Sequence, residues 1–245
     1  MQKWLNYFEW NRANRPPVAW ENGINISPHL CTPLIRSLQK FQIGESGEGR
    51  RLRRHAAATG DRVYAAAIDL FIKEEQTHAA LMGKVITQLG APLLKSEWSH
   101  NCFWIMRHLF GLHQELMVLL LPEMIAKCYF RALHDGTRDP VLRAVFGQIA
   151  RDEEGHLAFH VDYLRDAFHN MSFKSRILVQ VGWRFMYRMT CLVVMFDHRS
   201  LLRAVGMRRQ KFWDDCGRVF DEVAAGVFSP SRVLAPFPIL QNVRA

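Results

Sequence analysis

The sequence predicts an all-α fold: a four-helix bundle with one long crossover, followed by a C-terminal helical extension. Three observations predict it. Apolar residues recur at alternating spacings of three and four over long stretches, the period of a packed helix and not of a strand. The joints between the four longest stretches run short, long, short, at "TGD", "GAPLLKSEWSHN" and "HDGTRDP". The apolar seam of residues 61–89 also reappears 78 positions later.

Taken in order, residues 1–30 carry Trp4, Phe8, Trp10, Pro16, Pro17 and Trp20, too broken and aromatic for a long helix, and read as an irregular arm packed on a core. Residues 31–170 form the bundle, with helices expected at 31–57, 61–89, 101–134 and 139–169. A helix of about 30 residues is about 45 Å long. The middle connection of roughly 12 residues reaches about 40 Å when stretched, enough to cross the bundle end to end. Two antiparallel hairpins joined in this way are a known bundle connectivity. Residues 171–245 form a basic extension packed on the bundle, with helices at 173–196 and 199–225.

Composition narrows the setting. The 245 residues, 49% of them hydrophobic, suffice for one sizeable core. The five cysteines are odd in number and include no C-x-x-C pair, which argues against a disulfide framework or a rubredoxin-type centre and for a reducing compartment. The N-terminal stretch "MQKWLNYFEWNRANRPP" lacks the apolar core of a signal peptide, and no run of about 18 uncharged apolar residues occurs. A cytoplasmic protein is expected, peripheral to a membrane if its basic segment meets one. That segment concentrates the net charge of +9: from Phe173 to Lys211 there are nine Lys or Arg and one acid, Asp197. Arg176, Gln180, Arg184 and Arg188 form a polar stripe that reads first as the solvated face of a helix. Otherwise the charge suits an anionic partner, a membrane surface or a carrier protein, better than nucleic acid.

The seams hold the chemistry. Ile68, Ile72, Glu75, Ala79, Met82, Ile86 and Leu89 follow at spacings of four and three, and 78 positions later come Phe146, Ala150, Glu153, Leu157, His160, Leu164 and Ala167. Each seam places a glutamate at its centre. The flanking stripe repeats as well, with His78 matched by His156, so "EEQTH" and "DEEGH" are one acid-Glu-x-x-His motif used twice. In the first helix Glu45 follows Leu34, Leu38 and Phe41; in the third Glu123 follows Leu112, Leu116 and Leu119. Each lies 30 residues before its Glu-x-x-His. An antiparallel hairpin brings residues equidistant from its turn to one level, so four carboxylates and two imidazoles are expected at one interior point.

Buried carboxylates require counter-charge or neutralisation. Two metal ions would supply it, and oxygen with imidazole donors suits iron or manganese. The i, i+3 spacing puts Glu and His within reach of one ion. Glu74 and Asp152, just before the ligand glutamates, are placed to orient a histidine of the opposite hairpin by accepting its distal N–H. One E-x-x-H alone is usually a solvated Glu beside an incidental His; two copies at core positions, each with an upstream seam glutamate, are a different matter. His160 is open between a core histidine, a partner of a ligand and an extra ligand, since its counterpart is Met82. Glu48 and Glu115 read as solvated or as supporting groups. Gly44, Gly47, Gly49 and Pro122, all poor helix formers, flank Glu45 and Glu123 and either are ordinary irregularities or open the site locally.

Over residues 34–169 this pattern resembles the ferritin-like di-iron carboxylate superfamily. "FQIGES" leading to "KEEQTHA" is particularly similar to rubrerythrin, and the acid-Glu-x-x-His form is also similar to bacterial multicomponent monooxygenases. The resemblance implies the ligands Glu45, Glu75, His78, Glu123, Glu153 and His156 on two iron ions, with manganese as an alternative metal. It implies an oxidase or monooxygenase that uses dioxygen on a small or acyl-type organic molecule, with a separate electron donor. Phe41, Phe71, Phe130 and Phe159 would line the pocket or form core. The alternatives are a ferroxidase, peroxidase or iron-handling protein without organic substrate, and a metal-stabilised interaction protein. The oligomeric state is open, a homodimer being one option.

Overall fold

The computed structural model describes residues 1–94 and 112–228. Among them every regular element is helical: α1 (Gln2–Ala13), a single 3₁₀ turn (Trp20–Asn22), α2 (Pro28–Glu45), α3 (Arg50–Ala58), α4 (Arg62–Gln88), α5 (Leu112–Gly136), α6 (Pro140–Phe168), α7 (Phe173–Asp197), α8 (Arg199–Ala204) and α9 (Arg209–Phe228). The expected crossover and the start of the expected third helix fall largely outside the described residues.

Helix starts follow local chemistry. Asp61 accepts hydrogen bonds from the Val63 and Tyr64 amides and opens α4. Asp139 caps the Leu142 amide with Pro140 at the first turn of α6, and Ser172 caps α7 through Ser175. Two expected helices are each broken in two. The 31–57 helix is interrupted at 46–49, where Gly49 takes a left-handed φ of 62° against the Ile72 side chain. The 199–225 helix stops at Gly206, φ 75°.

α2 packs on α4 and α5 on α6. Both pairs run antiparallel: Gln39 bonds the Pro92 carbonyl while Glu45 meets Glu75, and Arg131 reaches Glu154 at 2.9 Å while Glu123 lies against His156. The α4–α6 contact joins the pairs, α3 spans from α4 to α5, and α9 packs on α5, α6 and α7. One contiguous apolar core runs from Trp4 to Phe228. Cys128, Cys191 and Cys216, distant in sequence, meet as free thiols where α5, α7 and α9 pack, with the Cys216 thiol within hydrogen-bonding reach of the other two.

Two expectations change. The arm is not irregular over residues 2–13: α1 buries Trp4, Tyr7 and Phe8 on one face, and α1 packs on α4. Tertiary burial there outweighs the weak helix propensity of aromatic residues. In α7 the arginine stripe does not simply face water. Arg184 pairs with Asp221 of α9 at 2.7 Å, Arg188 sits over the Trp213 ring and Arg176 donates to the Phe228 carbonyl. Arg184 and Arg188 stay exposed while they lean on α9, and an apolar side of the helix faces outward beside them. α7 is long and apolar enough to cross a membrane by length and composition, which the search for uncharged runs did not single out.

Candidate metal centre

α4 and α6 each present their Glu-x-x-His inward, because the seam that carries the glutamate is the seam that packs. Glu75, His78, Glu153 and His156 are all buried, and each offers one donor atom within 4.8 Å of the others, an arrangement that could hold a metal ion. His156 Nδ1 lies 2.9 Å from Glu75 Oε1 and 3.6 Å from Glu153 Oε2. His78 Nδ1 lies 3.7 Å from Glu75 Oε1 and 3.6 Å from Glu153 Oε1. Both imidazoles therefore turn the same nitrogen toward the same two carboxylates.

Glu123, from α5, joins them with Oε2 at 3.5 Å from His156 Nδ1 and lies against Glu153. Glu45, at the end of α2, is half-buried and hydrogen-bonded to Glu75. Glu75, His78, Glu153 and His156 are thus brought to one point, with Glu123 and Glu45 adjoining them. Several of their inward atoms are buried without hydrogen bonds: Nδ1 of both histidines, Oε1 of Glu75, Oε2 of Glu123 and both oxygens of Glu153. Buried donors and acceptors in that state are costly, and their convergence fits a cation.

The outward nitrogens are fully engaged. Nε2 of His78 donates to Oδ2 of Asp152 at 3.0 Å, and Nε2 of His156 donates to Oε2 of Glu74 at 2.9 Å, each across to the other hairpin. Those bonds leave Nδ1 free of a proton in the neutral ring. Glu74 and Asp152 are themselves clamped from outside. Asn11 Nδ2 donates to Glu74 Oε1 at 2.7 Å and to Asp152 Oδ1 at 2.9 Å. Arg15 pairs with the same two acids at 2.5 and 2.9 Å.

Asn11 and Arg15 were missed in the sequence, although a signal was there. Trp4, Phe8 and Asn11 follow at four and three, one face of a helix that passes from apolar to polar as it reaches the site, and Arg15 comes two residues after the end of that helix. Tyr7 on the same face lies directly against Gly155, where any side chain would collide with its ring.

Charge at the site is balanced by protons. Burial pushes the Glu45 carboxyl well above the ordinary range, and the Glu75 charge adds to it. Burial and then the Glu123 charge raise Glu75 to about 7 and raise Glu153 as well. Burial opposes ionisation of Glu123 too, yet its close contacts with His156 and Glu153 draw it down to about 2. Burial disfavours the charged form of His156, but the Glu75 charge and contacts with Glu123, Glu153 and Glu74 override it and hold the ring protonated. A cation would displace these protons.

Around the centre, Glu115 proves neither solvated nor a ligand. It is buried and pins α3 to α5 through Arg51 at 3.0 Å and His55 at 2.8 Å. Glu48 is exposed and pairs with Arg50. His160, one turn beyond His156, is buried edge-on to Phe71 with ring centres 4.8 Å apart, outside the group of four, and in its charged form would help keep Glu123 ionised.

Beside Glu45, Glu75 and Glu123 opens a cavity of about 200 Å³. Gly44, Gly47, Gly49 and Pro122 all line it, so the helix irregularities make room where the carboxylates stand. Phe41 and Phe71 are also in its wall, whereas Phe130 and Phe159 are core. Compared with known proteins, the chain matches no family model, no curated protein and no solved structure.

Proposed function

We propose that this chain is a non-haem di-iron protein of the ferritin-like type, which activates dioxygen to oxidise a small or acyl-type organic molecule with electrons from a separate donor. The observation that carries the reading is the set of inward donor atoms without hydrogen bonds, two imidazole nitrogens and four carboxylate oxygens at one buried point. Four glutamates and two histidines in a closed core fit two cations better than one. Nitrogen and carboxylate donors without thiolate suit iron or manganese. When bound, such a pair supplies the electron transfer to dioxygen that amino-acid side chains lack.

The protein's share is positioning, proton control and exclusion of water. Glu75, His78, Glu153 and His156 would hold the metals, with Glu45 and Glu123 completing the set from the cavity side. Asp152 and Glu74 fix the histidine tautomers, and Asn11 with Arg15 holds those acids in place. Glu45, whose carboxyl retains a proton through burial and the Glu75 charge, stands between cluster and cavity and is placed to hold or pass that proton. The walls formed by Phe41, Phe71, Leu119 and Val194 present apolar surface to a substrate. A cavity of this kind supports an organic substrate over iron oxidation alone.

Anaerobic loading with ferrous iron, followed by dioxygen with and without a panel of acyl and small apolar compounds, tests the reading. A compound that alters oxygen consumption or the optical spectrum supports it. Iron turnover that no compound influences would leave an iron-handling protein, and a metal-free chain of unchanged stability would remove both.

A further inference from the structure

Leu178, Val181, Phe185, Met189, Leu192 and Phe196 follow one another on α7 at spacings of three and four, and all six face solvent. Leu178 is 74%, Phe185 64% and Phe196 69% exposed. The stripe is about 27 Å long at the α-helical rise. A continuous apolar patch of that extent marks an interaction surface.

The opposite side of α7 belongs to the core. Trp183 Nε1 donates to the Met117 carbonyl at 2.9 Å, Tyr187 Oη to the Cys216 carbonyl at 2.9 Å, and both rings are buried. Crossing a bilayer would strip α7 of these partners. Lying along a surface would not.

Charge identifies the surface. Lys174 stands exposed at one end of the stripe, Arg188 along its flank and Arg203 just beyond the other end. The only acid between Phe173 and Lys211, Asp197, is paired with Lys40. A second copy of the chain would set this basic segment against itself, with like charges at close range. A bilayer with anionic headgroups neutralises the basic residues and takes the apolar stripe into its acyl boundary. We propose that the outward face of α7 docks the protein on an anionic lipid bilayer, the helix lying in the interface plane. Val194 and His198 of the same segment line the cavity beside Glu45, so the docking element is also a wall of the site.

Co-sedimentation of the full chain with vesicles of phosphatidylcholine and phosphatidylglycerol in equal parts, against phosphatidylcholine alone, tests this. The expected result is at least roughly tenfold tighter binding to the anionic vesicles, weakening as salt rises. Leu178→Glu and Phe185→Glu each lower binding by roughly tenfold or more, and Lys174→Glu by roughly fivefold or more, with helical circular dichroism and melting unchanged. Glu153→Ala leaves sedimentation unaltered, which separates docking from the metal reading. The proposal is overturned if the chain stays in the supernatant, or if the α7 variants bind as well as the parent. It is also overturned if the parent ignores vesicles and forms a dimer that Phe185→Glu dissociates, because a second copy is then the partner.

Discussion

His78 on α4 donates from Nε2 to Asp152 on α6 at 3.0 Å, so each hairpin orients a histidine of the other: His156 on α6 returns the bond to Glu74 on α4 at 2.9 Å. The two motif copies are interlocked, and neither histidine is set by its own helix alone. Asp152→Asn and Glu74→Gln should therefore each weaken metal binding by about 10–100-fold while leaving the fold intact. Competitive titration against a chelator of known affinity measures it; an unchanged affinity would mean that these acids do not set the imidazoles.

Arg15 lies between Glu74 and Asp152 with its side chain only 15% exposed. Removing it by Arg15→Ala leaves two buried carboxylates short of counter-charge, and the expected loss is about 3 kcal/mol in urea unfolding. Asn11→Ala, which removes neutral donors, should cost less, about 1–2 kcal/mol.

Gly155 and Tyr7 make a steric pair. In an ordinary helix interior Gly→Ala is stabilising by roughly 0.5–1 kcal/mol. Here the added methyl meets the Tyr7 ring, so Gly155→Ala should destabilise by about 1–3 kcal/mol. On a Tyr7→Ala background the same substitution should cost nearly nothing, and a double-mutant cycle of thermal unfolding reads the coupling.

The pH dependence of the metal-free chain has a definite sign. Glu75 rises from 4.5 to about 7 on folding, and Glu45 and Glu153 are raised too, each first by burial. A raised carboxyl means the native state binds more protons. Its contribution is complete below the unfolded value and is lost as pH climbs through the folded one. Glu123, lowered to about 2, contributes above 4.5 and loses its share only toward that low value. The metal-free melting temperature should thus fall between about pH 5.5 and pH 8, and the gain on adding ferrous or manganous ion should grow over the same window as protons are displaced. Calorimetric melting at several pH values with and without metal checks both trends.

The buried Glu/His cluster was legible because helical periodicity states which residues share a face, and Glu75 and Glu153 interrupt otherwise apolar seams. The cross-hairpin roles of Glu74 and Asp152 followed from the same repeat. Periodicity does not state what lies against a face, and the misreadings share that cause. Glu115 was open between a solvated and a supporting group, and only the packing of α3, which brings Arg51 and His55 onto it, removes the first. The arginines of α7 read as its solvated side, and Arg184 and Arg188 are exposed, but the periodicity did not reveal that Leu178 and Phe185 stay uncovered beside them. α1 looked irregular because Trp4, Phe8 and Trp10 are weak helix formers and Pro16 and Pro17 follow, and the burial of Trp4, Tyr7 and Phe8 explains the helix. The break after Glu45 was signalled by its glycines, but that it opens a cavity beside the carboxylates required the packing of Pro122 and Phe71 around it.

The measurement closest to the central claim is the metal content of the full chain after anaerobic loading with ferrous iron and removal of excess. The account predicts about two ions per chain, with fewer in Glu123→Ala and in Glu153→Ala while helical content is retained. A well-folded parent chain that keeps no iron or manganese, or that binds the same amount when Glu153 is removed, would contradict it.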